Sequence, residues 1–285
     1  MRVATILARY GTEKYQAAEE QIDAIFERQL PGVERTTIVV DNALPPEFVE
    51  QRDVARAVIG GDNSFWEFSA WDTGVQFLGH RIWSYDLVHL VTSAFHTLYV
   101  AYLDRFDERM LQYIAGRAAC VGHIDAYNEA VDILYFRSQH WIRTSFFFTP
   151  PAEIKALRTL VSLRSTDDWL GPEPSVPFAV NAPISENYQR LVLEWLTGSA
   201  IGQGSVWHSK IALDAGSWAL FKSKATAIFN EHLLGIRLRA QGTRVIDTTW
   251  LATKLSSCPF ESIDPATSWR VQLVERDNDK VIVGQ

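Results

Sequence analysis

The chain has 285 residues, of which 47% are hydrophobic and 21% are charged, enough to bury the core of one large domain or two smaller ones. Its net charge of −7 is spread along the sequence without a run of Lys or Arg, which argues against nucleic acid as a partner. No apolar run approaches the roughly 18 residues of a transmembrane segment, and Cys120 and Cys258 lie outside any metal-ligand spacing. We therefore expect a cytoplasmic globular protein without a disulfide framework or a zinc site.

The first third of the sequence alternates between strand and helix patterns. Apolar runs predict strands at 3–8, 36–40, 55–59 and 87–91. Helical periodicity predicts helices at 14–29, shortly after Pro45-Pro46 and at 68–78. Because each parallel crossover needs a helix to return the chain, this alternation predicts an α/β fold with a mostly parallel sheet and helices on both faces.

Polar residues follow each of the four predicted strands. Ligands of open parallel sheets bind at the carboxyl ends of the strands, so these residues are candidates for a binding site. They are Arg9, Tyr10 and Gly11, then Asp41 and Asn42, then Gly61, Asp62 and Asn63, and finally Thr92 and Ser93. Turn chemistry also places Gly, Asp and Asn at strand ends, so each single residue has a structural explanation as well.

The remainder of the sequence is richer in helix. We expect helices at about 96–107 and 108–118, a strand at 141–149, a helix at 152–163, a loop at 164–183 and helices at 186–197 and 217–229. The last forty residues have the pattern of a strand and an extended tail. His89, His96, His123 and His140 fall in apolar surroundings and are expected to be structural.

The most informative stretch runs from Asn230 to Gly242. Glu231 stands just ahead of a predicted amphipathic helix that ends at Gly242, before a strand-like segment. The residues expected to face inward are Leu234, Ile236 and Leu238, and those expected to face outward are Arg237, Arg239 and Gln241. A carboxylate held at such a junction can act as a base, although an ordinary surface helix has the same pattern.

This stretch resembles the final motif of inverting glycosyltransferases of the GT-A type, in which the second residue of an acidic pair is the base. Here that position is Glu231. Further upstream, Asn63-Ser64-Phe65 and Ala70-Trp71-Asp72-Thr73-Gly74 are similar to the family's Asn, aromatic turn and Asn-x-Gly helix, with Asp72 in place of the second Asn. The segment 141–157 is similar to the acceptor-side strand and helix, and the elements follow the family's order over about 3–246.

One departure from the family pattern concerns the metal. The fourth strand is followed by Thr92-Ser93-Ala94, where the family has Asp-x-Asp to hold a divalent cation against the donor diphosphate. Hydroxyls bind a hard cation poorly, so we expect no metal site here, with Mn or Mg bound elsewhere as an open alternative. Some groups that act on rhamnose-rich bacterial polysaccharides also have a weakened Asp-x-Asp. Arg9, Lys210, His208 or the backbone amides of Gly60-Gly61 could then hold the diphosphate.

The resemblance implies a single GT-A-like (Rossmann-like) domain over 1–285, with a nucleotide-sugar-binding half at about 1–95 and an acceptor-side half at about 96–285. It implies a hexosyltransferase-like enzyme of bacterial polysaccharide biosynthesis. Such an enzyme transfers a sugar with inversion from a nucleotide-sugar donor to a glycan or lipid-linked glycan, and through that acceptor it could be peripheral to the inner membrane.

The resemblance also assigns roles to particular residues, with Glu231 as the general base. The expected donor contacts are Arg9, Tyr10, Asp41, Asn42, Asp62, Asn63, Asp72, Gly74, Thr92 and Ser93. Trp207 and His208 are expected to meet the acceptor or the diphosphate. The alternative is a catalytically inactive glycosyltransferase-like module that binds carbohydrate or serves as a scaffold, which the loss of Asp-x-Asp would favour.

Overall fold

The structure is a computed structural model that describes residues 1–97, 100–198 and 210–283, the last six of these by their backbone alone. The fold is α/β, with a mixed, mostly parallel sheet of eight strands flanked by helices and a separate ribbon of two strands. The predicted fold class is therefore confirmed at this level. No helix in the described part of the chain is long and apolar enough to cross a membrane.

The elements of the first half include six of the strands and three helices. They are β1 (Arg2–Arg9), α1 (Ala18–Gln29), β2 (Glu34–Asp41), β3 (Val49–Asp53), β4 (Arg56–Gly60), α2 (Trp66–Leu78), β5 (Leu87–Thr92), α3 (Glu108–Ile114) and β6 (Ala119–Ile133). Short 3₁₀ helices occupy Gly79–Ser84 and Leu103–Arg105.

The second half is mainly helical after one long strand. Its elements are β7 (Phe136–Thr149), α4 (Pro151–Leu157), β8 (Leu170–Glu173), β9 (Val176–Phe178), α5 (Glu186–Thr197), α6 (Trp218–Ala240), β10 (Arg244–Asp247), α7 (Thr248–Ser257), a 3₁₀ helix at Phe260–Ser262 and α8 (Trp269–Val283).

The winding of the large sheet reverses at β1. The strand order is β10-β6-β7-β5-β1-β2-β4-β3, and β1 pairs in parallel with both β2 and β5. From β1 the chain proceeds through α1 to β2 and β4 on one side, and then returns through α2 to β5 on the other side. Open α/β sheets bind ligands beside such a reversal, at the carboxyl ends of the strands.

The chain divides into two compact units made of interleaved segments. The first, the sheet unit, comprises Met1–Ile124, Ile142–Leu160 and Arg237–Gln285, and the second, the aromatic unit, comprises Asp125–Trp141 and Val161–Ile236. Each has its own cluster of buried apolar side chains. The division into halves near residue 95 stays a prediction.

Two of the sequence-based element assignments in the first half were wrong. The segment after Pro45-Pro46 forms β3, which pairs antiparallel with β4 instead of forming a helix. All five residues of β3 are exposed, so the segment lacks the apolar alternation by which a strand is recognised. The expected helix at 96–107 is reduced, within the described residues, to turns and the 3₁₀ helix at Leu103–Arg105.

Further along the chain, the prediction missed β6, missed β8 and β9 inside the expected loop at 164–183, and was wrong at the C-terminus. The expected extended tail contains α7 and α8 instead. Asp247 at the end of β10 starts α7, because its Oδ1 accepts the backbone N–H groups of Thr249 and Trp250, both at 3.0 Å. The side chain of Gln272 in α8 in turn accepts the N–H of Asp247 at 2.7 Å, so tertiary contacts hold this region helical.

Candidate functional site

The polar residues predicted at the strand ends do share one edge of the sheet. In the register of the parallel pairs Arg9 lies opposite Asp41, Asp41 opposite Gly60, and Ala8 opposite Thr92. This follows from parallel pairing, which brings equivalent ends of successive strands side by side. The structure therefore groups these residues, while their role in donor binding stays a prediction.

Asp41 is a buried carboxylate at the end of β2, with an exposed fraction of 3%. Its Oδ1 accepts the N–H of Gly11 at 2.8 Å and of Ala43 at 3.0 Å, and its Oδ2 accepts Nε of Arg9 at 2.7 Å. Burial alone would raise the pKa of Asp41, but the hydrogen bonds from Gly11, Ala43 and Arg9 outweigh it and hold the pKa below its ordinary value. Asp41 is thus ionised and tied to its neighbours.

Arg9 is committed to two carboxylates. Besides Asp41, it contacts Glu19 of α1 through Nη1 at 2.5 Å, and Glu19 also pairs with Arg52 at 3.2 Å. Charge on the guanidinium is already balanced, so Arg9 is less suited to a phosphate than the sequence suggested. Its neighbour Tyr10 is exposed to solvent at 67% and remains accessible.

The loop after β4 is built by its own polar side chains. Nδ2 of Asn42 donates to Oδ1 of Asn63 and to the carbonyl of Trp66, both at 3.1 Å. Asp62 accepts the N–H of Ser64 at 2.9 Å and its hydroxyl at 2.8 Å. Burial would raise the pKa of Asp62, but these hydrogen bonds lower it below its ordinary value. The three predicted donor contacts Asn42, Asp62 and Asn63 thus shape the loop itself.

Asp72 and Gly74 on α2 have packing roles that the sequence did not reveal. Oδ1 of Asp72 accepts the N–H of Leu160 at 2.7 Å, and its Oδ2 accepts the hydroxyl of Thr159. Both partners are donors, which explains why an acceptor-only carboxylate fits where the family has Asn. A Cβ on Gly74 would lie 2.4 Å from Cγ2 of Ile6, so glycine lets α2 lie close to β1.

A cleft opens beside the reversal between β1 and β5. Its volume is ≈ 460 Å³, within the range of small-molecule pockets. The residues that line it follow the carboxyl ends of these two strands or start α1: Glu13, Lys14, Tyr15, Gln16, Ala17, Gln21, Ser93, His96 and Thr97. Of the predicted donor contacts, Ser93 lies in this lining. His96 was expected in apolar surroundings, and that was wrong, because its side chain is exposed in the cleft.

Little in the sequence pattern indicates the cleft. Lys14, Gln16 and Gln21 were placed inside the predicted helix 14–29, whereas α1 begins only at Ala18 and leaves 10–17 as the loop that forms one wall. The described residues contain no group of three or more His, Cys, Asp or Glu side chains placed to hold a metal ion.

Glu231 lies inside α6 and not ahead of a helix, which corrects the sequence-based picture of a junction. The predicted helix at 217–229 and the one after Asn230 are a single helix from Trp218 to Ala240. Leu234, Ile236 and Leu238 are buried and Gly242 follows the helix with a φ of 95°, as expected. Glu231 itself is half-buried.

The outward orientation predicted for Arg237 was wrong. Its guanidinium is half-buried and donates to the carbonyl of Leu157 at 2.8 Å. Burial lowers the pKa of Arg237, partly opposed by the negative charge of Asp72. Arg237 therefore ties α6 to the end of α4 instead of meeting solvent.

A buried histidine adjoins Glu231 in the aromatic unit. The hydroxyls of Tyr127 and Tyr188 lie 2.8 and 2.6 Å from Nδ1 of His232, and the ring centroid of Trp141 lies 4.7 Å from that of His232. Burial lowers the pKa of His232 to about 3, so the imidazole is neutral. Burial, followed by the negative charge of Glu231, raises the pKa of Tyr188 well above its ordinary value. The sequence analysis missed this cluster.

Asn230, the first residue of the acidic-pair position, is a structural amide. Its Oδ1 accepts the N–H groups of Ser162 at 2.6 Å and Leu163 at 2.8 Å, and its Nδ2 donates to the carbonyl of Leu163 at 3.2 Å. An ionised acid would supply the acceptor but no donor for the carbonyl of Leu163, which explains Asn in place of an acid.

Trp207 and His208, predicted to meet the acceptor or the diphosphate, lie outside the described residues. Lys210 lies within the described residues, and its side chain is exposed.

Comparison with known proteins identifies no relative. No protein-family model matches the chain, and neither a curated protein nor a solved structure is significantly similar to it.

Proposed function

We propose that the protein is a glycosyltransferase that transfers a sugar with inversion from a nucleotide-sugar donor to a glycan or lipid-linked glycan. The observation that supports this most is the cleft of ≈ 460 Å³ beside the reversal between β1 and β5. That is where sheets of this kind bind nucleotides. The polar edge formed by Arg9, Asp41 and Thr92 adjoins it through the register of the same strands.

Glu231 is the proposed general base. Inverting transfer needs a carboxylate that takes the proton of the acceptor hydroxyl as its oxygen attacks the anomeric carbon. The position of Glu231 supports this role, because its carboxylate is half-buried, next in the chain to the neutral His232, and its negative charge acts on the buried hydroxyl of Tyr188.

A second candidate is a non-catalytic module that binds carbohydrate or organises a polysaccharide assembly complex. The position of Thr92-Ser93-Ala94 at the end of β5 favours it, since these residues cannot supply the carboxylates that such enzymes use for a cation. The pairing of Arg9 with Asp41 and Glu19 favours it as well. These two carboxylates already neutralise the guanidinium, so Arg9 is poorly suited to bind the diphosphate of a nucleotide-sugar donor.

Thermal unfolding with ligands distinguishes the two candidates. The purified chain would be melted with a panel of nucleoside diphosphates and nucleotide sugars, each with manganese and with a chelator, and with simple sugars in parallel. A ligand that binds only the folded state raises the melting temperature. Stabilisation by one nucleotide family supports the transferase, whereas stabilisation by sugars alone supports the binding module.

The role of Glu231 is tested with Glu231→Gln, which keeps the shape of the side chain and removes the carboxylate that would act as the base. We expect transfer from the donor identified in the melting experiment to fall by about 10²- to 10⁴-fold, while donor binding changes little. The matched control is Glu186→Gln, an exposed carboxylate in the first turn of α5. Full activity of Glu231→Gln would remove this residue from the mechanism.

A further inference from the structure

The cleft beside β1 and β5 holds two cationic or protonatable groups that neither strand supplies. Lys14 stands on the loop after β1, and His96 stands on the turn after β5. Within the described residues neither side chain forms an ion pair, in contrast to Arg9, Arg35, Arg52 and Arg56 of the same unit. Lys14 and His96 are therefore available to a ligand that carries negative charge.

Both groups come from segments that the fold anchors. The ammonium of Lys14 lies 5.2 Å from the ring centroid of Tyr15, which packs on the apolar core of the sheet unit. His96 follows the buried Phe95, and the turn that carries it is closed by hydrogen bonds from Phe95 N–H to Thr92 at 3.1 Å and from Thr97 N–H to Ala94 at 3.0 Å. Each group is thus presented from a defined backbone.

We propose that Lys14 and His96 hold the diphosphate of the nucleotide donor directly, at the position where Thr92-Ser93-Ala94 cannot hold a cation. The proposal rests on the transferase function given above. The other lining side chains suit the same ligand, since the amides of Gln16 and Gln21 and the hydroxyls of Ser93 and Thr97 can donate to phosphate oxygens. Glu13 is the one carboxylate in this lining and opposes the binding of an anion.

The reaction gives Lys14 and His96 a defined task. The acceptor oxygen forms a bond to the anomeric carbon, the bond from that carbon to the β-phosphate oxygen breaks, and the acceptor proton passes to the base. The electron pair of the broken bond stays on the leaving diphosphate. The ammonium of Lys14 and a ring N–H of His96 stabilise that added negative charge, as positioned cations and hydrogen-bond donors do when a phosphate group leaves.

The test is the binding of inorganic pyrophosphate and of UDP, ADP, GDP, CDP and dTDP, with the matching nucleosides, by calorimetry in excess EDTA. Lys14→Gln and His96→Gln are compared with Lys155→Gln and His80→Gln, which make the same changes at exposed positions outside the cleft lining. We expect each cleft variant to weaken diphosphate binding by about tenfold and the matching nucleoside by less than about twofold. Glu13→Gln should strengthen diphosphate binding by a few-fold.

The outcomes separate this proposal from the proposed function. If a nucleoside diphosphate binds in EDTA but the cleft variants bind it as tightly as the control variants do, Lys14 and His96 are not the diphosphate site and the transferase proposal stands. Binding that needs manganese and ignores the cleft variants overturns the proposal in the same way. If no nucleotide binds but pyrophosphate binding depends on Lys14 and His96, the anion site is supported and the nucleotide-sugar donor is refuted. If neither a nucleotide nor pyrophosphate binds, both the diphosphate site and the transferase function are overturned.

Discussion

The two sides of the carboxyl end of β1 differ in how their charges are used. On the β2 side, Arg9, Asp41, Glu19 and Arg52 pair with one another, with Arg9 and Asp41 almost wholly buried. On the β5 side, Lys14 and His96 line an open cleft together with hydroxyls and amides. Residues that look equivalent in the sequence, as polar groups after strands, thus divide into a set that stabilises the fold and a set that is open to a ligand.

The largest effect should come from Asp41→Asn. It removes the charge that balances Arg9 and replaces one acceptor oxygen by a donor, which opposes the N–H groups or the guanidinium that now face Asp41. Breaking a buried pair from one side costs about 3 kcal/mol of the free energy of unfolding. Urea unfolding measures it, with Lys14→Gln as the control expected to stay within about 0.5 kcal/mol. Equal effects of the two variants would erase the contrast between the two sides.

Gly74→Ala should give the next largest effect and tests whether this residue belongs to packing. The added Cβ meets Ile6 at 2.4 Å, so α2 must move away from β1 or Ile6 must leave its rotamer. Overpacking of this kind costs about 2 kcal/mol. The control is Gly216→Ala, where the nearest atom is the flexible Asp214 carboxylate at 3.3 Å. If Gly74→Ala has normal stability but binds nucleotide more weakly, Gly74 contributes to donor binding and not to packing.

The smallest effect is the pH dependence of the Asp41 contribution. The pKa of Asp41 lies below its ordinary value of 3.8, so its stabilising contribution is fully present above that value and is lost as the pH falls through the lower pKa of the folded state. The stability difference between wild type and Asp41→Asn should therefore be constant near neutral pH and shrink below about pH 4. Buried His89 and His232 also cost stability in acid, but they do so in both proteins and cancel from the difference. Urea unfolding of both proteins from pH 7 to pH 3 gives the curve, and a difference that grows in acid would contradict the assignment.

The sequence by itself determined the alternation of strands and helices in the first third. Apolar runs located β1, β2, β4 and β5 to within a few residues, because a parallel strand that is buried on both faces has a continuous apolar sequence. Parallel pairing then required the residues after these strands to share an edge. The inward positions Leu234, Ile236 and Leu238 were also predicted correctly, since helical burial is periodic.

Only the tertiary structure decided which polar side chains are paired with other residues of the chain and which are accessible to a ligand. Three sets of contacts join residues that are far apart in the sequence. They are the pairing of Arg9 with Asp41, the acceptance by Asp72 of donors from 159–160, and the contact of His232 with Tyr127 and Tyr188. Local patterns carry no information on such partners. The start of α1 at Ala18, and with it the cleft wall, was likewise not predicted, because 14–17 were assigned to the same helical pattern as the helix that follows.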